Sequence, residues 1–450
     1  MIQQFITKKD VMSAFSHAMN LISPEVENHH EKVAYLAFRL AEIMGINARW
    51  RQLVIYGALL HDIGGVLRRG NVSLTDLERN ARETALKGAV VLRSFPVTLP
   101  LSEIVSQSQT PWSYLKGLRK ENTVPQQIGQ IIHLADAVTL LLDKNKPVLN
   151  QVRSVKEIIF REGKNEFSPK VLSAFETLCS REYVWLDVLY RPQLFLDLDS
   201  DNRDISLDEM VKLTEFMSRV VDFRSPFTAM HSAVVAATAA ALAKRAGMSE
   251  DECRQIRIAG YLHDIGKLKI PNKILEKPGK LTDEEFYIMK EHAYFTWLIL
   301  KDVKGFEQIT AWAAFHHEKL NGTGYPFHLL QDELPLGSRI MAVADIFSAL
   351  TEDRPYRKSM EKEKVMDILT GDARRGLISS GIVSISYRIM MRSINSGLMK
   401  AKLQAGSTGR VWNRQKPYHN RDGAGCLFGF TGKDVLENGS FISGSDGISS

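Results

Sequence analysis

Seven side chains of the kinds that bind metal ions recur along the second half of the chain. In order they are His231, His263, Asp264, His292, His316, His317 and Asp345. Imidazole nitrogens and carboxylate oxygens together suit one or two divalent transition metals. A lone buried histidine is more often a packed core residue, but packing alone does not explain seven such side chains near turns and on separate predicted helices. The set therefore predicts a metal centre.

Two metal ions held by histidines and bridged by a carboxylate such as Asp264 would favour hydrolysis of a phosphoester, because they lower the pKa of a bound water. Lys267 follows His263 by one helical turn and would neutralise a non-bridging oxygen. Asp264 and Lys267 are therefore the predicted catalytic residues. Adjacent His316 and His317 would diverge by about 100° on a continuous helix. A shared site thus suits a helix end, which the following Asn-Gly turn supports.

The elements that must position these ligands are predicted to be helices. Apolar residues recur at helical spacing in VAYLAFRLAEIM at 33–44, and Gly45 supplies a C-terminal stop. Similar segments follow almost everywhere before Gly371, whereas strand-like alternation is scarce. The predicted fold class is all-α, with helices packed on helices.

The two halves of the chain repeat each other. In each half a histidine lies 32 positions and a glycine 16 positions before a His-Asp pair, and a further aspartate follows later. The equivalent positions are His29 and His231, Gly45 and Gly247, His61 and His263, Asp62 and Asp264, and Asp136 and Asp345. The sequence thus predicts a duplication, with one helical domain at 1–190 and a second at 207–370.

Residues 191–206 are predicted to link the two domains. The segment DLDSDNRDISLDE is acidic and rich in turn residues, and Ser206 with Glu209 forms a capping-box pattern. Its alternating aspartates resemble a calcium loop, but the sixth position is Asn202 instead of Gly and the twelfth is Asp208 instead of Glu. A linker is the favoured interpretation.

The overall composition fits an ordinary globular protein, with 44% hydrophobic and 24% charged residues. The longest nearly unbroken apolar run, at 233–243, is shorter than the roughly 18 residues that a membrane-spanning helix needs, and the first residues lack a signal-peptide layout. Three widely spaced cysteines argue against a disulfide framework. We therefore expect a cytoplasmic protein without a membrane span.

The net charge of +6 lies in the segment 371–450, which holds 11 Lys and Arg against 5 Asp and Glu. The preceding residues are balanced, so a basic face for dedicated nucleic-acid binding is not indicated. The same segment contains 13 of the 30 glycines and 12 serines. It is predicted to be a divergent, flexible C-terminal tail, with a basic interaction segment as the alternative.

The order H…HD…H…HH…D, with HDIGKLKIPNKILEKPGKL at 263–281 and HHEKLNGTGYP at 316–326, resembles the HD-GYP subfamily of HD-domain phosphohydrolases. The likeness is close over 223–369, and the more general HD pattern covers much of 20–180. It implies an all-helical fold, a di-iron or di-manganese centre, and hydrolysis of cyclic di-GMP to pGpG or onward to GMP. Some members of the subfamily prefer related cyclic dinucleotides.

By this resemblance the seven residues above match the metal ligands, and Lys267 matches a lysine that contacts phosphate. Tyr325 of the GYP triplet, Arg354 and Arg357 match positions that touch the substrate. Cations near the metals suit a dianionic cyclic dinucleotide, and purine bases favour aromatic or guanidinium faces. Some members place a glutamate four residues before the first ligand histidine, whereas this chain has Phe227. Two metal ions are therefore expected instead of three.

The first half keeps only part of the ligand set. The retained residues, which form the single-metal set of the wider HD superfamily, are His29, His61, Asp62 and Asp136. Gly65 replaces the lysine, Glu83-Thr84 stands where Glu291-His292 does, and Gln107-Ser108 falls near the place of the His-His pair. Nothing near that place resembles the GYP segment.

Too few ligands remain in the first half for a two-metal mechanism. The first domain is therefore predicted to be a degenerate, regulatory HD domain that packs, dimerises or senses, with an independent vestigial metal site as the alternative. His30 and His133 are expected to be surface or core residues.

The second copy departs from the first near its end. The first domain closes with NEFSPKVLSAFETL at 165–178, which resembles the terminal segment of the subfamily, whereas MDIL at 366–369 is followed by TGDARRGLISSG. An altered reading frame, a fusion and genuine divergence are all open explanations. Loss of a closing helix would expose apolar surface at a cost of about 25 cal/mol per Å². All predicted ligands precede this point, so the site would survive.

The expected function is that of a metal-dependent phosphodiesterase that hydrolyses cyclic di-GMP or a related cyclic dinucleotide in the second domain, with a metal-activated hydroxide as nucleophile. One alternative is a signalling scaffold that binds a nucleotide or protein partner without turnover. Another is an HD phosphohydrolase that acts on other nucleotides, which the complete GYP segment disfavours. The metal, the product and the oligomeric state, including a possible homodimer, are left open by the sequence.

Overall fold

The structure is a computed structural model, which describes residues 7–21, 28–67, 80–117, 123–192, 205–222, 231–352 and 359–396. These residues form helices and turns, and no extended strand occurs among them; Asn321 and Leu330 make an isolated antiparallel bridge. The predicted all-α fold is therefore confirmed. Most of the predicted linker at 191–206 lies outside the described residues.

Helices of the first half surround a buried apolar core. They are α1 (Lys8–Asn20), α2 (His29–Ile43), α3 (Ala48–Leu60), α4 (Ala81–Arg93), α5 (Leu99–Gln107), α6 (Trp112–Leu115), α7 (Val124–Leu141), α8 (Val148–Glu162), α9 (Pro169–Cys179) and α10 (Glu182–Tyr190). Short 3₁₀ turns lie at Ile63–Leu67 and Pro96–Thr98.

The second half contains a comparable series. Its helices are α11 (Leu207–Asp222), α12 (His231–Arg245), α13 (Glu250–Leu262), α14 (Asn272–Leu275), α15 (Asp283–Leu300), α16 (Glu307–Ala314), α17 (Leu336–Thr351), α18 (Lys362–Arg374) and α19 (Ser380–Ser396). Short 3₁₀ turns lie at Ile265–Lys269 and Gln331–Glu333.

Local sequence explains several of these helix starts. Thr123, Ser249 and Thr282 each form a capping box. The side chain of the capping residue accepts the backbone N–H of the third helix residue, whose own side chain accepts the backbone N–H of the capping residue. Gly45 and Gly247 end α2 and α12 with φ of 69° and 87°, a left-handed conformation that favours glycine. A glycine thus ends the equivalent helix in both halves.

The two halves pack their helices in the same pattern. In the first half α2 packs against α3 and α7, and α5 packs against α4 and α7. In the second half α12 packs against α13 and α17, and α16 packs against α15 and α17. The duplication predicted from the histidine and glycine spacing is therefore visible in the packing as two tandem HD-type domains.

The helices that precede the two HD domains reach across to the opposite domain. Helix α1 packs against α2 and α3, and also against α15 and the 3₁₀ turn at 265–269 of the second half. Conversely, α11 contacts the 3₁₀ turns of the first half. Phe216 of α11 lies 5.9 Å from Phe15 and 5.3 Å from Phe95 between ring centroids. The two halves accordingly form one compact unit, Met1–Tyr387.

The chain stays structured beyond the predicted start of the tail. Position 371 lies inside α18, and Ile378, Ile382 and Val383 are buried. The backbone N–H of Leu320 donates to the carbonyl of Leu377 at 3.1 Å. The segment from Gly371 to Tyr387 therefore belongs to the compact unit, which corrects the expectation that the flexible tail begins at residue 371. Residues 397–450, most of the predicted tail, lie outside the description.

Among the described residues, no helix is both long and apolar enough to cross a membrane.

Candidate metal centre

Five elements of the second half bring the predicted ligands together. His231 is the first residue of α12, and His263 and Asp264 directly follow α13. The remaining ligands are His292 on α15, His316 and His317 just after α16, and Asp345 on α17. A Cβ on Gly266 would clash with the carbonyl of His292, so this glycine lets the His-Asp turn lie directly on α15. The pair His316-His317 lies at a helix end, as its spacing predicted.

The first ligand group contains His231, His263, Asp264 and Asp345. His231 Nε2 lies 3.1 Å from Asp345 Oδ1 and 3.9 Å from Asp264 Oδ2. His263 Nε2 lies 3.3 Å from Asp264 Oδ2. Ligand atoms of His231, His263 and Asp264 all lie within 4.8 Å of one another, a spacing that can hold a metal ion.

The second ligand group contains His292, His316 and His317, whose ligand atoms also lie within 4.8 Å of one another. His292 Nε2 and His316 Nε2 are 3.4 Å apart. The other oxygen of Asp264, Oδ1, lies 3.6 Å from His292 Nε2. One carboxylate therefore turns one oxygen towards each group, which is the arrangement of a bridging ligand.

Backbone contacts fix which nitrogen of each ring faces the centre. The Nδ1 atoms of His263, His292 and His316 lie 2.7, 2.5 and 2.6 Å from the carbonyls of Gly260, Met289 and Ala313. Because a carbonyl oxygen can only accept a hydrogen bond, each Nδ1 carries the hydrogen. The lone pair of each Nε2 is therefore left to bind a metal ion. Nε2 of His263 is buried and has no hydrogen-bond partner among the described residues. A buried lone pair without a donor fits a metal ligand.

Most of these groups have the protonation state in which they can bind a metal ion. Burial lowers the pKa of His292 to about 3 and that of His317 to about 4, and it also lowers the pKa of His316. Burial opposes ionisation of Asp264 and Asp345, but the neighbouring histidines, and Lys267 at Asp264, outweigh it and hold both pKa values well below the usual range. Neutral imidazoles and ionised carboxylates are the states that bind metal.

His231 differs from the other histidines because both of its nitrogens face carboxylates. Its Nδ1 lies 3.0 Å from Glu352 Oε2, in addition to the contact of Nε2 with Asp345. Burial alone would lower the pKa of His231, yet these two contacts raise it to about 10. The structure therefore favours a positive charge at this point, which a metal ion on Nε2 would supply instead of a proton.

Two carboxylates that sequence reasoning missed support the site. Glu352 orients His231, and no spacing signal marked it. Glu318 is buried and accepts backbone N–H groups of Phe327, His328 and Leu329 at 2.7, 3.1 and 3.1 Å. It thereby anchors the loop that carries the GYP triplet; its position directly after the His-His pair was the available signal.

The remaining predicted site residues are only partly described. Lys267 Nζ lies 2.5 Å from Asp264 Oδ2, so the lysine touches the carboxylate that faces both ligand groups. The ring of Tyr325 lies 4.9 Å from that of His317 between centroids. Arg354, Arg357 and Phe227 lie outside the described residues.

The first half assembles its retained ligands as well. His29 Nε2 lies 3.0 Å from Asp136 Oδ1, and His61 Nε2 lies 3.2 Å from Asp62 Oδ2. Nδ1 of His61 faces the carbonyl of Ala58 at 2.7 Å, and its buried Nε2 has no hydrogen-bond partner among the described residues. This arrangement leaves Nε2 of His61 available to a metal ion.

Other side chains complete the first centre differently from the second. His30 is buried and, with His61 and Asp62, forms a second group of ligand spacing, which the expectation of a surface or core residue did not foresee. Gln109 Nε2 donates to Asp136 Oδ2 at 2.7 Å. His133 packs on Phe167, with ring centroids 5.0 Å apart.

Comparison with known proteins agrees with the two-domain architecture. A family model described as an HD domain matches residues 26–141, and a second HD-domain model matches residues 215–378. A relative from Vibrio cholerae serotype O1 named 3'3'-cGAMP-specific phosphodiesterase 1 is 29% identical over 400 residues, which are 86% of this chain and 93% of the relative.

Two further matches extend the comparison. A protein from Pseudomonas aeruginosa named as a cyclic di-GMP phosphodiesterase is 42% identical over 133 residues, which are 29% of this chain and 32% of that relative. A crystal structure described as a cyclic GMP-AMP specific phosphodiesterase of V. cholerae superimposes with a TM-score of 0.59 and 22% identity, covering 86% of this chain and 98% of that one. The last match shows a shared fold.

Proposed function

We propose, for a chain that belongs to the HD-domain family and carries two such domains in tandem, that the second domain is a phosphodiesterase that hydrolyses a cyclic dinucleotide with two bound metal ions. The observation that carries this proposal is the position of Asp264, which turns one oxygen towards each of two ligand groups. A phosphodiester needs both its attacking and its leaving oxygen stabilised, and two adjacent metal sites meet that need.

The residues of the second domain divide naturally between the two metal sites. One site would be held by His231, His263, Asp264 and Asp345, and the other by Asp264, His292, His316 and His317. When bound, divalent metal ions supply a water of lowered pKa and stabilise charge on the phosphoryl group. Iron and manganese are the proposed metals, because both accept mixed nitrogen and oxygen ligands.

The chain's own cations and rings would position the substrate. The Lys267 side chain is 22% exposed while its amine contacts Asp264, so it can also reach a phosphoryl oxygen beside the bridging carboxylate. Tyr325 borders the second ligand group through His317. Arg354 and Arg357 are proposed to contact the substrate from the segment that follows α17.

The names of the relatives support the substrate class. One is named for 3'3'-cGAMP and another for cyclic di-GMP, and both substrates are dianionic cyclic dinucleotides. We propose cyclic di-GMP or 3'3'-cGAMP as the substrate, with pGpG or GMP as the product of the former.

The first domain is proposed to regulate the second domain and to hold one metal ion at a vestigial site formed by His29, His61, Asp62 and Asp136. A second metal would need the equivalents of His292, His316 and His317. The described first half does not place three such histidines around its centre.

The proposed activity is tested by turnover of both cyclic dinucleotides under anaerobic conditions. Purified full-length protein would be depleted of metal with a chelator and reloaded with iron or manganese, and bound metal would be counted by mass spectrometry. We expect turnover only in reloaded protein and release of a linear or mononucleotide product. A folded protein that holds both metals in the second domain and cleaves neither nucleotide would overturn the proposal.

A further inference from the structure

A group of aromatic rings around one lysine lies beside the second ligand group. Lys290 is two residues before His292 on α15, and its Nζ lies 5.8, 5.4 and 5.2 Å from the ring centroids of Phe286, Tyr287 and Tyr325. Phe286 and Tyr325 also contact each other edge to face, with centroids 6.3 Å apart. We call these four residues the Lys290 platform.

The platform is open to solvent on the side of its helix. Phe286 is 47% exposed and Tyr287 is 64% exposed, although both are large apolar rings. Within the described part of the chain, no carboxylate lies within ion-pair distance of Lys290, whereas Lys301, which lies over Trp297 on the same helix, has Asp302 at 3.7 Å. A cation among exposed rings suits a flat ligand that offers acceptor atoms.

The platform is joined to the metal centre by one side chain. Tyr325 belongs to the platform and also lies 4.9 Å from the ring of His317, between centroids. The loop that carries Tyr325 is anchored by Glu318, which accepts three consecutive backbone N–H groups just after the GYP triplet. A ligand whose phosphate reaches the metal centre would therefore meet the platform with an adjoining part of the same molecule.

We propose that the Lys290 platform binds one purine base of the cyclic dinucleotide and selects guanine over adenine at that position. This inference rests on the proposed function. The exposed rings provide a surface on which a base can stack. The lysine ammonium can donate hydrogen bonds but cannot accept them. The outer edge of guanine presents two acceptors, N7 and O6, whereas adenine presents N7 beside a donating amino group. The lysine can therefore donate to both acceptors of guanine, whereas on adenine it meets an amino group that is also a donor.

The test compares cyclic di-GMP, 3'3'-cGAMP and cyclic di-AMP as substrates of the wild-type protein and of Lys290→Met. Methionine keeps the length of the side chain and removes the charge. We expect kcat/KM to fall about tenfold to a hundredfold for the two substrates that contain guanine, the range expected when a base contact is lost. Turnover of cyclic di-AMP should stay nearly constant, so the discrimination between the nucleotides should shrink.

Two control variants separate base recognition from damage to the site. Lys290→Arg retains donors for N7 and O6 and should preserve the preference for guanine. Lys301→Met removes a lysine that lies over Trp297 at the end of the same helix, and it should change neither rate nor preference. Hydrolysis of bis(p-nitrophenyl) phosphate, which has no purine, and metal content should be unchanged in all three variants. Equal losses with every substrate, or no loss with any, would overturn the inference.

Binding distinguishes failure of this inference from failure of the proposed function. If the metal-loaded wild-type protein turns over none of the three nucleotides, their affinities for wild type and Lys290→Met are measured by calorimetry. A preference for guanine that disappears in the variant would uphold the platform while the phosphodiesterase proposal fails. Affinities that do not depend on the base would overturn the platform.

Discussion

The two HD centres have nearly the same geometry in the four residues that they share. The distance from the first histidine to the last aspartate is 3.0 Å in the first centre and 3.1 Å in the second, and the distance within the His-Asp pair is 3.2 and 3.3 Å. The two histidine rings are 5.5 Å apart in both centres. The duplicated helices therefore preserve the arrangement of these four side chains in two different surroundings.

The difference lies on the helices that face this shared site. Gly64 and Gly266 each lie directly against a carbonyl of the facing helix, that of Thr84 in the first half and that of His292 in the second. The structure thus places Thr84 where the second centre has His292, a predicted ligand. At the other side, Gln109 gives a hydrogen bond to the last aspartate. The second group of candidate ligands therefore depends on a few side chains of α15 and of the turn after α16, not on the fold.

The largest effect is expected from replacing the aspartate of each His-Asp pair. Asp264→Ala removes a ligand that both groups of the second centre share, so kcat should fall about a thousandfold or more, beyond the loss from a single stabilising donor. Asp62→Ala should cost the first centre its metal and leave the chemical step largely intact. Turnover and metal content per chain are the measurements.

Two outcomes with this pair of variants would contradict the proposed difference between the two centres. Comparable losses of turnover in two folded variants would mean that the first centre takes part in the reaction. An Asp62→Ala protein with the metal content of wild type would show that the first centre binds no metal. Thermal unfolding of both variants serves as the control for folding.

His292→Thr converts the facing helix of the second centre to the type found in the first. The second ligand group would lose one of its three histidines, so we expect one metal fewer per chain and a kcat lower by about a hundredfold or more. Thr84→Ala is the matched control, because it changes the equivalent helix without touching a predicted ligand. Full turnover by His292→Thr with an undiminished metal count would contradict the assignment of the second metal site.

Sequence spacing predicted most of the second centre because the HD pattern is local. The helix that begins with the first histidine ends at a glycine, Gly45 or Gly247. The helix that precedes the HD pair begins at a side-chain cap, Asn47 or Ser249. Glu352 and Gln109 escaped prediction because their role depends on how separate helices are rotated against each other. The same reason explains why His30, next to a predicted ligand, was not expected to join it.

The end of the second domain was predicted less well. The glycine and serine content of residues 371–450 suggested a flexible tail from 371. That content was counted over all 80 residues, so it hid the different composition of the first few. Ile378, Ile382 and Val383 lie at helical spacing and are buried. The periodicity of these few apolar residues was the signal, and it was outweighed by the composition of the residues that follow.

A smaller effect is expected at Glu352, the carboxylate behind His231. Glu352→Gln keeps the size of the side chain and an oxygen that can accept from Nδ1, but it removes the charge that increases the basicity of the ring. Metal affinity should fall about tenfold to a hundredfold, as is usual when a partner of a metal-bound histidine is replaced. Competition with a chromophoric chelator measures this affinity.

The smallest effect is expected at Asp222, a position at which the two halves differ. Asp222 stands nine residues before His231, whereas Asn20 stands nine residues before His29. Asp222 accepts a hydrogen bond from Ser232 at 2.9 Å. Burial raises the pKa of Asp222 from 3.8 to about 7, although the charge of His231 acts to lower it. A carboxyl group with a raised folded-state pKa binds its proton more tightly in the folded protein. It therefore contributes stability at low pH that is lost as the pH rises from about 4 to about 7.

Asp222→Asn should remove this pH dependence and make the second domain resemble the first. The wild type should lose at most about 1.4 kcal/mol of unfolding free energy per pH unit in that window relative to the variant, because one proton is released on unfolding. Urea unfolding of metal-free protein between pH 4 and pH 8 measures the difference. Asp208→Asn, at the exposed start of the same helix, should keep the wild-type slope. Parallel curves for wild type and Asp222→Asn would mean that Asp222 is ionised in the folded protein, and its hydrogen bond with Ser232 would then have to stabilise a buried charge.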